Sequence, residues 1–467
     1  MRLRYCIVAA AVLVTACGGG GDASEESTSP EASVSPTSEP VVDSTAVAPT
    51  GPDVENPDAL PWMRDAVSIV GTSGSDVLLG VAPGPEGSLW ISGHTDSAFG
   101  ADLGGSAAGL VDALLLQYDP VSEITWRTFN QFGTPDSDAF LGVTATPDGG
   151  AVAVGYSKGE FATANYGIND IIAVSVGPDG RERWRVQLGG PDWDRGYSVV
   201  ANDDGSVFLG GYTFGGIAEN FGGTGAGGHD AVVAKVSSVG EIEWVRSIGT
   251  DDVDWGQSMV SDGRGGVVIV GYTQGDWSGT NAGARDAFVT RVDSEGNEAW
   301  TVQLGTEGDE WLQGVTSLDD GTIVAVGFTA GAIGWSNGDN DILVVRVSPD
   351  GELLGANQMG TSGDDRAFGV VAAPDGGIVI SGSVSGQFGA DSVWSGKKDA
   401  FIAGLDASGD LQWVSQWGSD ADDDGYGIAL VDGHLWFVGV TAGAAGQPPG
   451  AMVSGPTDAW ITGYKPI

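Results

Sequence analysis

Residues 249–305 read GTDDVDWGQSMVSDGRGGVVIVGYTQGDWSGTNAGARDAFVTRVDSEGNEAWTVQLG, and their pattern decides the fold. Four β-like runs are separated by turn chemistry. The first, QSMVS, ends at Asp262, Gly263, Arg264 and Gly265. The second, GVVIVGYT, leads into a Gly/Asn/Ser stretch. The third, DAFVTRV, turns through Asp293, Ser294, Glu295 and Gly296 into the fourth, EAWTVQLG. Short β-branched runs between Gly, Asp and Asn turns predict antiparallel meander strands, here named a to d. No helical period of 3.6 competes with them.

The same unit recurs seven times. Each opens with a Gly, and an acid follows five residues later: Asp76, Asp138, Asp194, Asp254, Glu310, Asp365 and Asp423. A Gly near the end of run b comes 16 or 17 residues after that acid: Gly93, Gly155, Gly211, Gly271, Gly327, Gly382 and Gly439. Run c opens with Asp112, Asp170, Asp230, Asp286, Asp341, Asp399 or Asp458. Fourteen residues further stand Trp126, Trp184, Trp244, Trp300, Gly355 and Trp413 in units one to six. Four-stranded repeats of this length predict propeller blades, because one such sheet cannot bury both faces alone. The last unit stops after run c, while residues 62–72 look like a run d without a unit. The expected architecture is therefore all-β: a closed seven-bladed β-propeller of four-stranded antiparallel blades, with the N-terminal strand completing the last blade. Closure would also remove open sheet edges.

With GTSGDD at 360–365, GYT at 271–273, DAFV at 286–289 and Trp300, the chain resembles the bacterial SBBP β-propeller repeat family over residues 62–467. Gly355 and the Ser383–Val384 pair depart from that pattern. The resemblance implies a fold and no particular reaction.

The N-terminus predicts export. Arg2 and Arg4 precede an apolar run at 6–16 that is too short to span a bilayer. The sequence VTAC at 14–17 resembles a lipobox, so residues 1–17 form a lipoprotein signal peptide with Cys17 as the lipidated residue. Cys6 leaves with the signal, and no disulfide remains available. Residues 18–60 are an acidic Ser/Pro/Gly tether, too poor in apolar side chains to fold. The propeller then occupies 61–467. This arrangement predicts a monomer in the cell envelope, extracytoplasmic and held to a membrane through the N-terminal lipid.

A net charge of −44 rules against nucleic-acid binding, which needs a basic surface. The acids concentrate in the d–a loops, on the face that also carries the b–c loops. The seven acids that open strand a, Asp76, Asp138, Asp194, Asp254, Glu310, Asp365 and Asp423, are candidate metal ligands around the channel mouth. Calcium is the cation such oxygens would suit. The competing reading has each acid accept backbone N–H bonds and fix its own loop. Six Trp of units three to six, Trp193, Trp255, Trp277, Trp311, Trp335 and Trp394, are candidates for stacking on sugar rings. Their competing role is to cover sheet ends. The three His fall at unrelated repeat positions, and no Cys nucleophile or G-x-S-x-G turn supports catalysis. The sequence therefore favours a binding or adhesion scaffold for an extracellular protein or glycan over an enzyme. The alternatives are a glycan-acting hydrolase or lyase using loop carboxylates, and a structural envelope protein.

Overall fold

The computed structural model describes residues 62–99, 107–120, 125–222, 225, 227–334, 336–390, 392–443 and 456–466. Cys17, the tether at 18–60 and Trp335 lie outside the described residues. The recurring runs form seven four-stranded antiparallel sheets. In the fourth, strand a is Asp254–Ser261, b is Val267–Thr273, c is Asp286–Val292 and d is Glu298–Leu304. The other a strands are Asp76–Pro83, Asp138–Ala145, Asp194–Ala201, Glu310–Ser317, Arg366–Ala372 and Asp423–Val431. Each a strand packs on the a strand of the next sheet, and the seventh packs on the first. The sheets are thus blades of a seven-bladed propeller, with the a strands around a central channel.

Strands b and c are nearly all buried because each is sandwiched between neighbouring blades. Blade-on-blade clusters repeat around the ring. One joins Val154 and Ile171 of blade two to Val199 and Val232 of blade three. The strand-d Trp residues dock blades, as their spacing suggests. Trp184 donates to Ser238 O of the next blade at 3.1 Å, and Trp300 to Pro349 O at 3.3 Å. The backbone of Gly240 and Gly351, with positive φ, lies against these two indoles.

Two repeat glycines have steric reasons. A Cβ on Gly133 would stand 2.1 Å from the Asp112 carboxylate, and Gly189, Gly305 and Gly418 meet their own run-c Asp in the same way. A Cβ on Gly155 or Gly271 would stand 1.8 or 1.7 Å from a strand-a carbonyl. These positions are Gly because nothing larger fits.

A second ring ties blades together on the loop face. The residue before each run-c Asp forms an isolated parallel bridge to the residue before the next blade's acid, as in Asn169 with Trp193 and Lys398 with Asp422. Ser75 with Thr457 makes the same bridge between the seventh blade and the first. The d–a and b–c loops therefore do share one face.

Candidate functional site

Strand a begins at the loop face, and its first acid is turned away from the channel. Asp76, Asp138, Asp194 and Asp365 are fully buried. In six blades the acid accepts the backbone N–H of the Thr or Ser four residues upstream and that residue's hydroxyl. Examples are Thr134 with Asp138 at 2.6 and 2.9 Å, and Ser419 with Asp423 at 2.5 and 2.8 Å. Strand b adds a further hydroxyl, such as Thr95 to Asp76 and Thr329 to Glu310, both at 2.6 Å. Charge-assisted bonds of this kind hold the d–a loop to the blade. Run-c acids do the equivalent task for the b–c loop. Gln187 bridges Asp170 at 2.6 Å to the Phe161 N–H at 2.9 Å, and Gln303, Gln358 and Gln416 repeat the bridge.

Blade three departs from this frame. Gly190 replaces the hydroxyl residue, so Asp194 keeps the Gly190 N–H at 2.7 Å and the Thr213 hydroxyl. Burial, opposed by these bonds, pushes its carboxyl up to about 7. Burial also raises Asp76, Asp138, Asp254, Asp365 and Asp423 above the ordinary carboxylate range. The seven acids do not ring the channel mouth, because side chains alternate along a strand. Among the described residues, no three His, Cys, Asp or Glu converge in a metal-holding group.

The residue after each acid is the one that faces the mouth: Val77, Ala139, Arg195, Trp255, Trp311, Arg366 and Asp424. Four of these join a cluster spanning the channel end, together with the strand-b residues Tyr212, Tyr272, Phe328 and Val440. The cluster is built from pairs across blade seams. Arg195 stacks over Tyr156 at 4.6 Å and over Trp193 at 5.1 Å. Trp255 stacks on Tyr212 at 3.7 Å, Trp311 meets Tyr272 edge-on at 5.0 Å, and Arg366 covers Phe328 at 4.5 Å. Arg366 and Lys398 share Asp364 at 2.8 and 3.2 Å. Asp424 lies beside Lys398 and the Tyr426 hydroxyl, and burial pushes both groups up.

Two residues further, every a strand has a β-bulge. The register against strand b slips between Leu78 and Gly80 in blade one, and at the matching place in all seven blades. The bulged residue lies two positions beyond the mouth residue and on the same, channel-facing side of the strand. The bulged residues are Leu79, Leu141, Tyr197, Gln257, Gln313, Phe368 and Tyr426, and they line a cavity of about 210 Å³. Trp255 Nε1 donates to Gln257 Oε1 at 2.9 Å. Neither amide atom of Gln313 has a partner.

The predicted Trp sector divides. Trp255 and Trp311 are buried in the channel mouth. Trp277 is half-buried on Phe288, with its indole N–H on Glu298 at 3.1 Å. Trp193 and Trp394 remain 36% and 49% exposed on the loop face. The bulge residues escaped sequence reasoning, although a signal existed. In register with the acid, positions one and three beyond it are where the units diverge most in size and polarity.

No family model matches the chain. Over 130 residues it is 28% identical to "Regulatory protein FlaEY" of Caulobacter vibrioides, which covers 26% of this chain and 13% of that protein. The chain thus spans a small part of the length of that curated relative. Among solved structures it is similar to a protein of unknown function from Dyadobacter fermentans, at 11% identity and a TM-score of 0.45, covering 88% of this chain and all of that one. It is also similar to an α-L-arabinanase of Penicillium chrysogenum complexed with arabinobiose, at 11% identity and a TM-score of 0.45, covering 86% and 98% of the two chains. The phage phi92 endosialidase gives 10% identity and a TM-score of 0.42, covering 87% and 70%.

Proposed function

We propose that the chain is an extracytoplasmic binding scaffold, tethered by lipid on Cys17, whose propeller presents its channel end to an extracellular glycan. One observation carries this reading. Seven blades keep their frame residues nearly constant, yet five successive blades, three to seven, replace small or aliphatic channel residues with aromatic and hydrogen-bonding ones. Packing alone does not require that change, since blades one and two fill the same positions with Val77, Leu79, Ala139 and Leu141. Aromatic planes beside polar groups suit sugar rings, whose faces are apolar and whose edges carry hydroxyls. Exposed Trp193 and Trp394 extend that surface onto the loop face.

The N-terminal strand Trp62–Val70 completes the seventh blade in this reading. Its pairing with Asp458–Pro466 supports closure, as does Gly71, whose Cβ would meet Asp458 much as Gly133 would meet Asp112. A glycan array read with the wild type and with Trp193→Ala/Trp394→Ala tests the binding function. Capture by the wild type that falls at least about tenfold in the double variant, at unchanged stability, is expected. Silence across wall and extracellular glycans would remove the proposal. Mass spectrometry of the membrane fraction tests the anchor, with an unmodified mature N-terminus as the contrary result. The competing hydrolase reading rests on Asp424, a buried carboxyl pushed up at the mouth. Glycan cleavage lost in Asp424→Asn would favour it.

A further inference from the structure

The cavity beneath the mouth has a wall chemistry narrower than that of the loop face. Its bulge residues are neutral: Tyr197, Gln257, Gln313, Phe368 and Tyr426 on one side, Leu79 and Leu141 on the other. Gln313 is 5% exposed, and both its amide oxygen and its amide nitrogen lack partners. The Tyr426 hydroxyl, on an equally buried side chain, has Asp424 beside it and keeps an acceptor lone pair for a ligand hydroxyl. A buried amide with neither end bonded is rare in a native interior and signals something that satisfies it. Gln257 is oriented by the Trp255 indole, a donor only, which takes its oxygen and leaves its NH₂ for the cavity.

These groups decide between ligand classes. A charged ligand would lose its hydration with no ion among the lining residues to replace it. An apolar ligand would leave both ends of the Gln313 amide unpaired. A neutral ligand with several hydroxyls satisfies them and can lay an apolar face on Phe368. The volume of about 210 Å³ is below the roughly 300–1,000 Å³ of drug-sized sites, so the occupant is small.

We propose that the channel cavity takes one neutral sugar ring, with hydroxyls on Gln313, Gln257 and Tyr426 and one face against Phe368. The proposal deepens the glycan-binding reading and rests on it. The ring is either a free monosaccharide or the terminal residue of a captured chain. The chemistry is shared, and the experiment separates the two sources.

The test is saturation-transfer NMR and calorimetry on the full chain in detergent. The probes are the methyl glycosides of glucose, galactose, mannose and N-acetylglucosamine, alone and in competition with a glycan captured on the array. At least one methyl glycoside is expected to bind. Gln313→Leu and Tyr426→Phe should each weaken it about tenfold or more, because a hydroxyl then loses its buried partner. Val239→Ala, in an exposed c–d turn on the opposite face, should leave this affinity unchanged. Competition with the captured glycan assigns the cavity to a chain terminus, and binding without competition assigns it to a free sugar. Both outcomes support the proposal. Failure of every glycoside, with glycan capture intact in Gln313→Leu, would overturn the cavity assignment and leave the glycan scaffold standing. Glycoside binding indifferent to both cavity variants would overturn it as well, with water then the natural partner of Gln313. Loss of all glycan capture in the wild type would instead sink the broader reading.

Discussion

The channel wall has two unlike halves built on one backbone. Blades one and two present Val77, Leu79, Ala139 and Leu141 to it, whereas blades three to seven present Arg195, Tyr197, Trp255, Gln257, Trp311, Gln313, Arg366, Phe368, Asp424 and Tyr426. Strand a has the same bulge at the same register in both halves. The frame behind it is also shared: Thr72 and Thr134 hold their acids as Thr250 and Thr306 do. The difference is therefore confined to positions where the frame is indifferent to side chain. The plain half shows what closing the ring requires, and the aromatic half shows what has been added.

Substitutions across the halves test this division, and the largest effects should come from the aromatic seams. Trp255→Ala and Trp311→Ala each remove a buried ring packed across a blade boundary. Each should cost about 3–5 kcal/mol, read from denaturant midpoints. Ala139 fills the matching place in blade two with no such ring, so Ala139→Gly should cost only about 1 kcal/mol. Equal losses would mean that the Trp pairs are not the anchors described above.

Next comes the frame acid of blade three. Unfolded, the Asp194 carboxyl has the ordinary aspartate value near 3.8, and burial pushes it up to about 7 in the fold. The native state then binds more protons across that window, so this group makes stability fall as pH rises from about 4 to about 7. Asp194→Asn should remove that fall, a gain on the order of a few kcal/mol at pH 8 relative to pH 4. His94 acts with the opposite sign. Burial pushes it down to about 4, and its contribution rises with pH between about 4 and 6.5. A variant whose stability keeps the wild-type pH slope would show that Asp194 is ionised in the fold.

Exchanging bulge residues between halves should give effects of opposite sign. Gln313→Leu removes an unpartnered buried amide and should stabilise by about 1–2 kcal/mol. Leu141→Gln places such an amide in the plain half and should destabilise by about 2–3 kcal/mol. Like signs in thermal or urea unfolding would break the claim that function, not packing, placed Gln313.

The smallest effect expected is that of calcium. The strand-a acids already accept two or three hydrogen bonds within their own blade. EDTA or calcium should therefore move Tm by no more than about 2 °C beyond general salt screening. A concentration-dependent rise specific to Ca²⁺ over Mg²⁺ would restore these acids as ligands.

Much of the fold was legible because its signals are local. Turn glycines, period-two runs and fixed spacings marked the strands of each blade, and Asp286 and Asp399 open run c where the spacing puts them. The acids were found but faced elsewhere. Alternation along strand a sends Asp254 into its loop and Trp255 to the channel, a reading the sequence allowed. The bulge was not legible, since a one-residue slip depends on pairing with strand b. Alternation does carry Gln257 and Gln313, two residues beyond Trp255 and Trp311, to the channel face, but the widened backbone that opens the cavity there depends on the bulge. Trp255 and Trp311 looked like loop residues because they adjoin loop acids, yet they sit inside the first turn of pleat.

Hydrogen–deuterium exchange of the full chain, with and without a glycan captured on the array, tests the central claim most directly. The two-halved channel predicts added protection in the a strands of blades three to seven and at Trp193 and Trp394, with blades one and two unchanged. Protection centred on Asp76–Pro83 and Asp138–Ala145, or spread evenly over all seven a strands, would contradict it.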